Sequence, residues 1–328
     1  MSISFYGSSE FSLIILQKLF ELNKQNKINL EYVISQSSKI FGRNKEIKDN
    51  SVVSFCKQNN IRFITPEKIK EIKTSEIANI KIDMAIVAAY GKILPEWLLN
   101  STKYGFINFH GSILPAYRGA APVQFTILNQ DIKNAGITII KMDKGMDTGK
   151  IIKNEKLKIN SLEFQKLISG ELMMRLADLG AQTLEKDFDY IFSPEKWNLI
   201  KQDDTKASFC YVSDMAKENF QVNYEDGILK AHGKIMAANP EPKAYVKLIM
   251  KDEELTMNIL RSDLVDIKLP RTNQLSLQKS GKKLYLELYD GFVEILDIQP
   301  QGKKPMDAMS FINGYGKVLC YYVLAVGS

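Results

Sequence analysis

The 328-residue chain predicts an α/β fold, a mostly parallel sheet covered by helices, followed by a small β-barrel. Three observations carry this. The first half alternates strand-like and helix-like segments, as parallel sheets with crossover helices do. Beyond residue 206 the pattern changes to short strands separated by turn signals. A hydrophobic content of 45% with 25% charged residues suits two globular domains of ordinary size.

In chain order, strands are expected at residues 3–6, 30–34, 61–64, 84–88 and 106–110. Between the first two, Phe11, Leu13, Ile14, Leu16, Leu19 and Phe20 form a helical apolar stripe, and residues 51–58 read as a second helix. Residues 161–184 read as one long helix, with Leu162, Leu167, Leu172, Leu176, Leu179 and Leu184 among its apolar positions and Ser161 as its cap. The following stretch loses its periodicity and carries Ser193-Pro194 and Asp203-Asp204, so a linker is expected over 188–206. That divides the chain into domains 1–187 and 207–328. In the second, strands are expected at 245–250, 257–260, 284–288 and 292–298, with turns at Lys279-Ser280-Gly281, Asp290-Gly291 and Gln301-Gly302. Gly7-Ser8-Ser9 after the first strand reads as a tight strand-to-helix turn, with anion binding at a helix start as the lesser reading.

The net charge of +6 resides in residues 1–200, since residues 201–328 balance. It is a weak pointer to a polyanionic partner. Cys56, Cys210 and Cys320 are widely spaced and odd in number, which argues for a reducing compartment and for buried apolar thiols. No Cys/His cluster has metal-ligand spacing, so no metal is expected. There is no charged and apolar leader and no run of about 18 apolar residues. A cytoplasmic monomer without membrane attachment is expected.

Chemistry concentrates in Asn108-Phe109-His110-Gly111-Ser112-Ile113-Leu114-Pro115-Ala116-Tyr117-Arg118-Gly119 and in Met146-Asp147-Thr148-Gly149. Side chains alternate along a strand, so Asn108 and His110 share a face. His110 is one of only two histidines. Asn108 donates hydrogen bonds, His110 carries a proton near neutrality, and Asp147 is suited to orient and stabilise a charged imidazole. Those are parts for acyl transfer. No cysteine lies near and no Gly-x-Ser-x-Gly elbow surrounds Ser112, so the nucleophile is expected to belong to the substrate.

As a string these residues resemble the signature of the folate-dependent formyltransferase family, Asn-x-His-x-Ser-Leu-Leu-Pro-x-x-Arg-Gly followed by Asp-x-Gly, with Ile113 in place of a leucine. The likeness continues through Ala120-Ala121-Pro122-Val123-Gln124 and Gly136-Ile137-Thr138. Two regions resemble the methionyl-tRNA branch of that family in particular. One is Gln299-Pro300-Gln301-Gly302-Lys303-Lys304-Pro305-Met306. The other is the loop containing Gly42-Arg43-Asn44-Lys45, in which Asn44 and Glu46 depart from the family's more basic Gly-Arg-Gly-Lys-Lys. Glu241 also stands where the family usually has tryptophan.

The resemblance implies a Rossmann-like formyltransferase domain and an OB-like second domain. It implies 10-formyltetrahydrofolate as donor and initiator methionyl-tRNA as acceptor, in translation initiation. Asn108, His110 and Asp147 would be catalytic. Tyr90, Gly91, Ile93 and Leu94, then Ser112, Leu114 and Pro115, then Lys141, Met142, Asp143, Lys144 and Gly145 would line the folate site. Arg43 and Lys45, with Lys282, Lys283, Lys303 and Lys304 on the barrel, would meet the tRNA. Arg118 would fix the following loop or approach substrate, the second being the lesser reading. The alternatives are an N-formyltransferase of a nucleotide-linked amino sugar, with the same trio and no RNA loop, and a catalytically idle binding protein.

Overall fold

The computed structural model describes residues 1–41, 46–250 and 253–315. Arg43 and Lys45, Cys320 and the loop residues Gly42 and Asn44 lie outside these described residues. The chain divides into two compact units. The first comprises 1–122, 134–157 and 173–209, and the second 123–133, 158–172 and 210–328.

The first unit is built on a seven-stranded sheet. In chain order its strands are β1 (Ser2–Gly7), β2 (Asn29–Ile34), β3 (Phe63–Ile64), β4 (Met84–Ala88), β5 (Phe106–His110), β6 (Gly136–Lys141) and β7 (Lys150–Lys156). Their spatial order is β7-β6-β5-β4-β1-β2-β3. The pairs from β5 through β3 are parallel, while β6 and β7 are antiparallel additions. The mostly parallel sheet is as expected. The antiparallel edge is not, because Gly136–Lys141 is a buried run without alternation. Such a run is ambiguous in sequence alone.

Helix α1 (Glu10–Lys24) buries Phe11, Leu16 and Leu19 of the expected stripe together with Ile15 and Leu22, while Leu13, Ile14 and Phe20 of that stripe are half-buried. Ser9 caps it, and the Ser12 hydroxyl accepts from the N–H groups of both Ser8 and Ser9 at 3.0 Å while donating to Ala88 O at 2.6 Å. The turn after β1 therefore spends its donors internally, which supports the tight-turn reading over an anion site. The expected helix 161–184 is two helices, α2 (Ser161–Gln165) and α3 (Ser169–Lys186). Asn160 rather than Ser161 caps α2, accepting from Glu163 N–H at 2.9 Å. The break explains why Leu162 is 75% exposed while Leu172, Leu176 and Leu184 are fully buried. Residues 188–206 carry short helical turns, and the first unit runs on to residue 209.

The second unit holds a curled antiparallel half-barrel, β8 (Ala244–Met250), β9 (Glu253–Leu264), β10 (Ser276–Ser280), β11 (Lys283–Leu288) and β12 (Gly291–Pro300), in the order β8-β9-β12-β11-β10. Val246, Leu248, Met257, Ile259, Leu284, Leu286, Val293 and Ile295 form its inner face. Gly281 and Gly302 have φ of +59° and +75°, as turn glycines should. This fits the OB-like expectation.

A charged residue anchors the loop before β10. The Glu287 side chain has no exposure and accepts from Arg271 Nε (2.9 Å), the backbone N–H groups of Thr272 (2.9 Å) and Asn273 (3.0 Å), and the Thr272 hydroxyl (2.6 Å). Ser276 Oγ (3.0 Å) and Gln278 Nε2 (2.8 Å) complete the shell. Burial by itself would raise the Glu287 carboxyl, but these donors outweigh it and hold the group below its ordinary value.

The second histidine, His232, is fully buried between Ser262 Oγ (2.9 Å) and Gln165 O (3.0 Å), and burial lowers its pKa. Cys56 and Cys210 are buried, and burial pushes the Cys56 thiol up to about 12. Among the described residues no group of three or more His, Cys, Asp or Glu could hold a metal ion, and no helix is long and apolar enough to cross a membrane.

Candidate active site

β5 puts Asn108 and His110 on one face by strand alternation, while Ile107 and Phe109 are buried on the other. His110 is itself only 4% exposed. Its Nε2 lies 2.8 Å from the Tyr117 carbonyl oxygen. A carbonyl only accepts, so Nε2 carries the hydrogen. Nδ1 then faces Asp147 Oδ2 at 3.5 Å. Asn108 Nδ2 lies 3.4 Å from Asp147 Oδ1. The three side chains converge although Asp147 arrives from a separate loop.

That loop has to travel. β6 runs against β5, with Thr138 opposite His110 and Lys141 opposite Ile107. β6 therefore ends beside the start of β5, and residues 142–149 must fold back over the face that carries Asn108 and His110. Lys150 pairs with Lys141 to close the excursion. Asp147 sits at φ +54°, a left-handed conformation that a non-glycine residue adopts only under constraint. The Gly119 N–H, donating to Asp147 Oδ2 at 2.8 Å, is one such constraint. A Cβ on Gly149 would lie 2.0 Å from the Lys141 carbonyl oxygen, so only glycine fits where the loop returns.

The segment after His110 is pinned by a buried hydroxyl. Thr138 Oγ1 accepts from Leu114 N–H at 3.0 Å and donates to Ser112 O at 2.7 Å. Ser112 Oγ donates to Ala116 O at 2.7 Å, so this serine holds its own loop. Arg118, 3% exposed, points its guanidinium to Gln202 and Asp204. These bonds tie the segment after His110 to residues 202–204.

The expected folate-side residues fall in two groups. Tyr90 and Leu94 are buried in one apolar cluster against which Met142 packs, which brings segments 90–94 and 141–145 together. The Tyr90 ring meets Tyr6 edge-on at 5.7 Å. Its hydroxyl is buried with no hydrogen-bond partner among the described residues, and burial pushes it up to about 12, so it stays protonated. Gly91 has φ +75°, and Ile93 is 93% exposed. Lys141, Asp143, Lys144 and Gly145 are exposed. Asp143 Oδ1 accepts from Gly145 N–H and the Thr148 hydroxyl, shaping the loop from within. Leu114 instead packs with Ile140 and Ile151, and Pro115 is half-buried.

Of the barrel lysines, Lys282, Lys303 and Lys304 are exposed. Lys283 is committed to Glu294 across the strands at 2.7 Å, and that bond raises its pKa. The register directs the β10–β11 turn and the end of β12 toward the same end of the sheet, and these lysines lie on those two segments or just beyond them. Beside the Gln301-Gly302 turn lies a cleft of about 200 Å³ lined by Lys217, Thr256, Asn258, Gln299 and Gln301, with no carboxylate among its lining residues.

Sequence reasoning missed Gln202. It is 5% exposed and bonds the carbonyls of Asp147 and Gly149. Its only local trace was a polar residue in an aperiodic stretch.

Residues 2–186 match the family model described as Formyl transferase, and residues 214–316 match Formyl transferase, C-terminal domain. A protein of Carboxydothermus hydrogenoformans named methionyl-tRNA formyltransferase is 33% identical over 325 residues, covering 96% of this chain and 97% of that one. Its namesake in Dictyoglomus thermophilum is 34% identical over 318 residues, covering 96% and 97%. Among solved structures, the N-formyltransferase of Helicobacter canadensis in complex with folinic acid and dTDP-3-aminofucose superimposes with a TM-score of 0.66. It covers 91% of this chain and 98% of its own at 18% identity, a likeness of fold.

Proposed function

The chain belongs to the methionyl-tRNA formyltransferase family, and from that premise we propose that Asn108, His110 and Asp147 carry the formylation of the methionine amine on initiator methionyl-tRNA. Formyl transfer to that amine is the family's activity. The donor in this reading is 10-formyltetrahydrofolate. Convergence of the three side chains across two separate segments is the observation that carries the assignment.

The neutral methionine amine attacks the formyl carbon, and the carbonyl oxygen becomes a tetrahedral oxyanion. Asn108 Nδ2 carries two hydrogens, one of which is directed at Asp147. The other serves the oxyanion, where a positioned donor is worth most. The long Nδ1 contact to Asp147 lets a charged His110 share that hydrogen with the oxyanion. Asp147 balances the imidazolium and receives the proton lost by the attacking amine. Collapse of the intermediate breaks the bond to N10 of the folate, which leaves with a proton relayed from Asp147. General acid–base help of this kind contributes about 10²–10⁴ in rate.

Ile93 and Gly91 on one side and the exposed loop at Lys141, Asp143, Lys144 and Gly145 on the other offer apolar and backbone surface to a pterin, with Tyr90, Leu94 and Met142 as the packed floor. Ser112, Leu114 and Pro115 close the folate side. Domain 207–328 meets the tRNA through Lys282, Lys303 and Lys304, with Lys283 contributing less because Glu294 holds it. The carboxylate-free cleft beside Gln301 offers amides and a cation to the same strand. Arg43 and Lys45 on the first domain act on the acceptor end. In this reading the protein works as a cytoplasmic monomer.

Single-turnover assays with both substrates saturating test the trio. His110→Ala and Asp147→Asn should each slow the chemical step by at least about 10²-fold. Near-normal rates in either would remove that residue from the mechanism. An amino-sugar nucleotide offered in parallel should remain unformylated.

A further inference from the structure

Gln202 is bonded on both ends of its amide. Its carbonyl oxygen accepts from Arg118 Nε at 3.0 Å and from Arg118 Nη2 at 2.8 Å. Its nitrogen donates to Asp147 O at 2.7 Å and to Gly149 O at 2.8 Å. The next residue after Arg118 is Gly119, whose N–H holds the Asp147 carboxylate at 2.8 Å. A closed circuit results: the Asp147 carboxylate, the Gly119 peptide, the Arg118 guanidinium, the Gln202 amide and the Asp147 main-chain carbonyl.

The circuit fixes Asp147 at both of its ends. The contacts of Asp147 to its partners in the trio, at 3.4 and 3.5 Å, are too long to hold it. Its left-handed backbone would relax if the carbonyl were released. The placement of the carboxylate therefore comes from Gly119 and Gln202, not from His110 or Asn108. Buried amides satisfied at all four positions are rigid, and hydrogen bonds involving a guanidinium are the stronger kind.

We propose that Gln202 is a positioning residue for formyl transfer, holding the backbone of Asp147 so that its carboxylate addresses both His110 and Asn108. The inference rests on the catalytic reading of those three residues. Gln202 has no contact with the reacting atoms in this role. It sets a geometry, and a misplacement of about 1 Å is enough to cost about 10² in rate.

Gln202→Glu separates the role from mere packing. The carboxylate is isosteric and still accepts from Arg118, but it offers no donor to the carbonyls of Asp147 and Gly149. The kcat should fall by about 10- to 100-fold with the KM for each substrate within about threefold of wild type. The chain has two histidines, so histidine-selective ¹⁵N labelling resolves both rings. The His110 ring signals should shift and those of His232, in the other unit, should not. A wild-type kcat in Gln202→Glu overturns the proposal. So does a loss in which both KM values rise in step, or in which the His232 signals move as well. His110→Ala run alongside keeps two failures apart. An active His110→Ala defeats the catalytic reading, whereas an inactive His110→Ala beside a normal Gln202→Glu defeats only the brace. If Gln202→Glu does not fold, Arg118→Lys gives the same test, since a single ammonium cannot hold the amide oxygen twice. It should show a smaller fall in kcat with the same KM and NMR pattern, and a wild-type kcat there overturns the proposal equally.

Discussion

Replacing Glu287 with glutamine removes one charge and adds two hydrogens at a site built only of donors. At the Oε1 position the new NH2 would confront Arg271 Nε and the N–H groups of Thr272 and Asn273, none of which can turn to accept. At Oε2 it would meet the hydroxyls of Thr272 and Ser276, which can rotate, together with Gln278 Nε2 and the Thr272 N–H, which keeps its bond to Oε1. The second placement is the milder. It still downgrades the bonds from Arg271, Thr272 and Asn273 from charged to neutral, at about 1 kcal/mol each, and leaves Gln278 facing a donor at about 1–3 kcal/mol. The sum, about 4–6 kcal/mol, overlaps the general cost of breaking a buried ion pair by removing one partner, about 3–5 kcal/mol. Against a domain stability of about 5–15 kcal/mol, that is a large share.

Both tryptophans, Trp97 and Trp197, belong to the first unit, so their fluorescence would not follow this event. Urea unfolding by far-ultraviolet circular dichroism, with hydrogen exchange at the Thr272 and Asn273 amides, reads it directly. The pH dependence supplies an independent check. Because the folded carboxyl lies below its ordinary value, its contribution is complete above the unfolded pKa of about 4.3 and is lost as pH falls through the folded value. Wild type should lose this increment in acid, and Glu287→Gln should lack it at every pH. A destabilisation under about 1 kcal/mol with both amides still protected would refute the reasoning.

Two further outcomes are expected. Gly149→Ala should abolish formylation and destabilise the first unit, because a Cβ 2.0 Å from a backbone oxygen forces the Asp147 loop off Lys141; a variant with ordinary activity and melting would contradict the close approach. Changing Lys282, Lys303 and Lys304 to serine should raise the apparent constant for methionyl-tRNA without moving that for folate, and should flatten its salt dependence, since each lost phosphate contact removes released counterions; an unchanged salt slope would take these lysines off the RNA path.

How much was legible from sequence follows from how local each feature is. Asn108 and His110 are two apart on one strand, so alternation alone puts them together. Gly281 and Gly302 could be read because a turn demands their conformation. Asp147 could be found only by its likeness to a signature, since its approach depends on β6 running backwards beside β5. Gln202 left no readable trace because its partners are Arg118 and two main-chain carbonyls more than fifty residues away. The engagement of Lys283 by Glu294 was hidden for a similar reason, as it requires the cross-strand register. The long helix expected over 161–184 failed because a leucine stripe continues in the letters while the backbone breaks between Gln165 and Ser169.

The pairing of Lys141 with Lys150 has a consequence for how this site can vary. With both ends of the excursion fixed in the sheet, residues 142–149 behave as a ruler whose length sets where its inner marks fall. An exposed mark such as Met146 can change identity with little effect on the others. The number of residues cannot change, because one added or removed unit carries Asp147 past the Gly119 peptide that receives it. Substitution should therefore be tolerated only at such exposed marks, and insertion or deletion hardly at all, although ordinary surface loops accept changes of length.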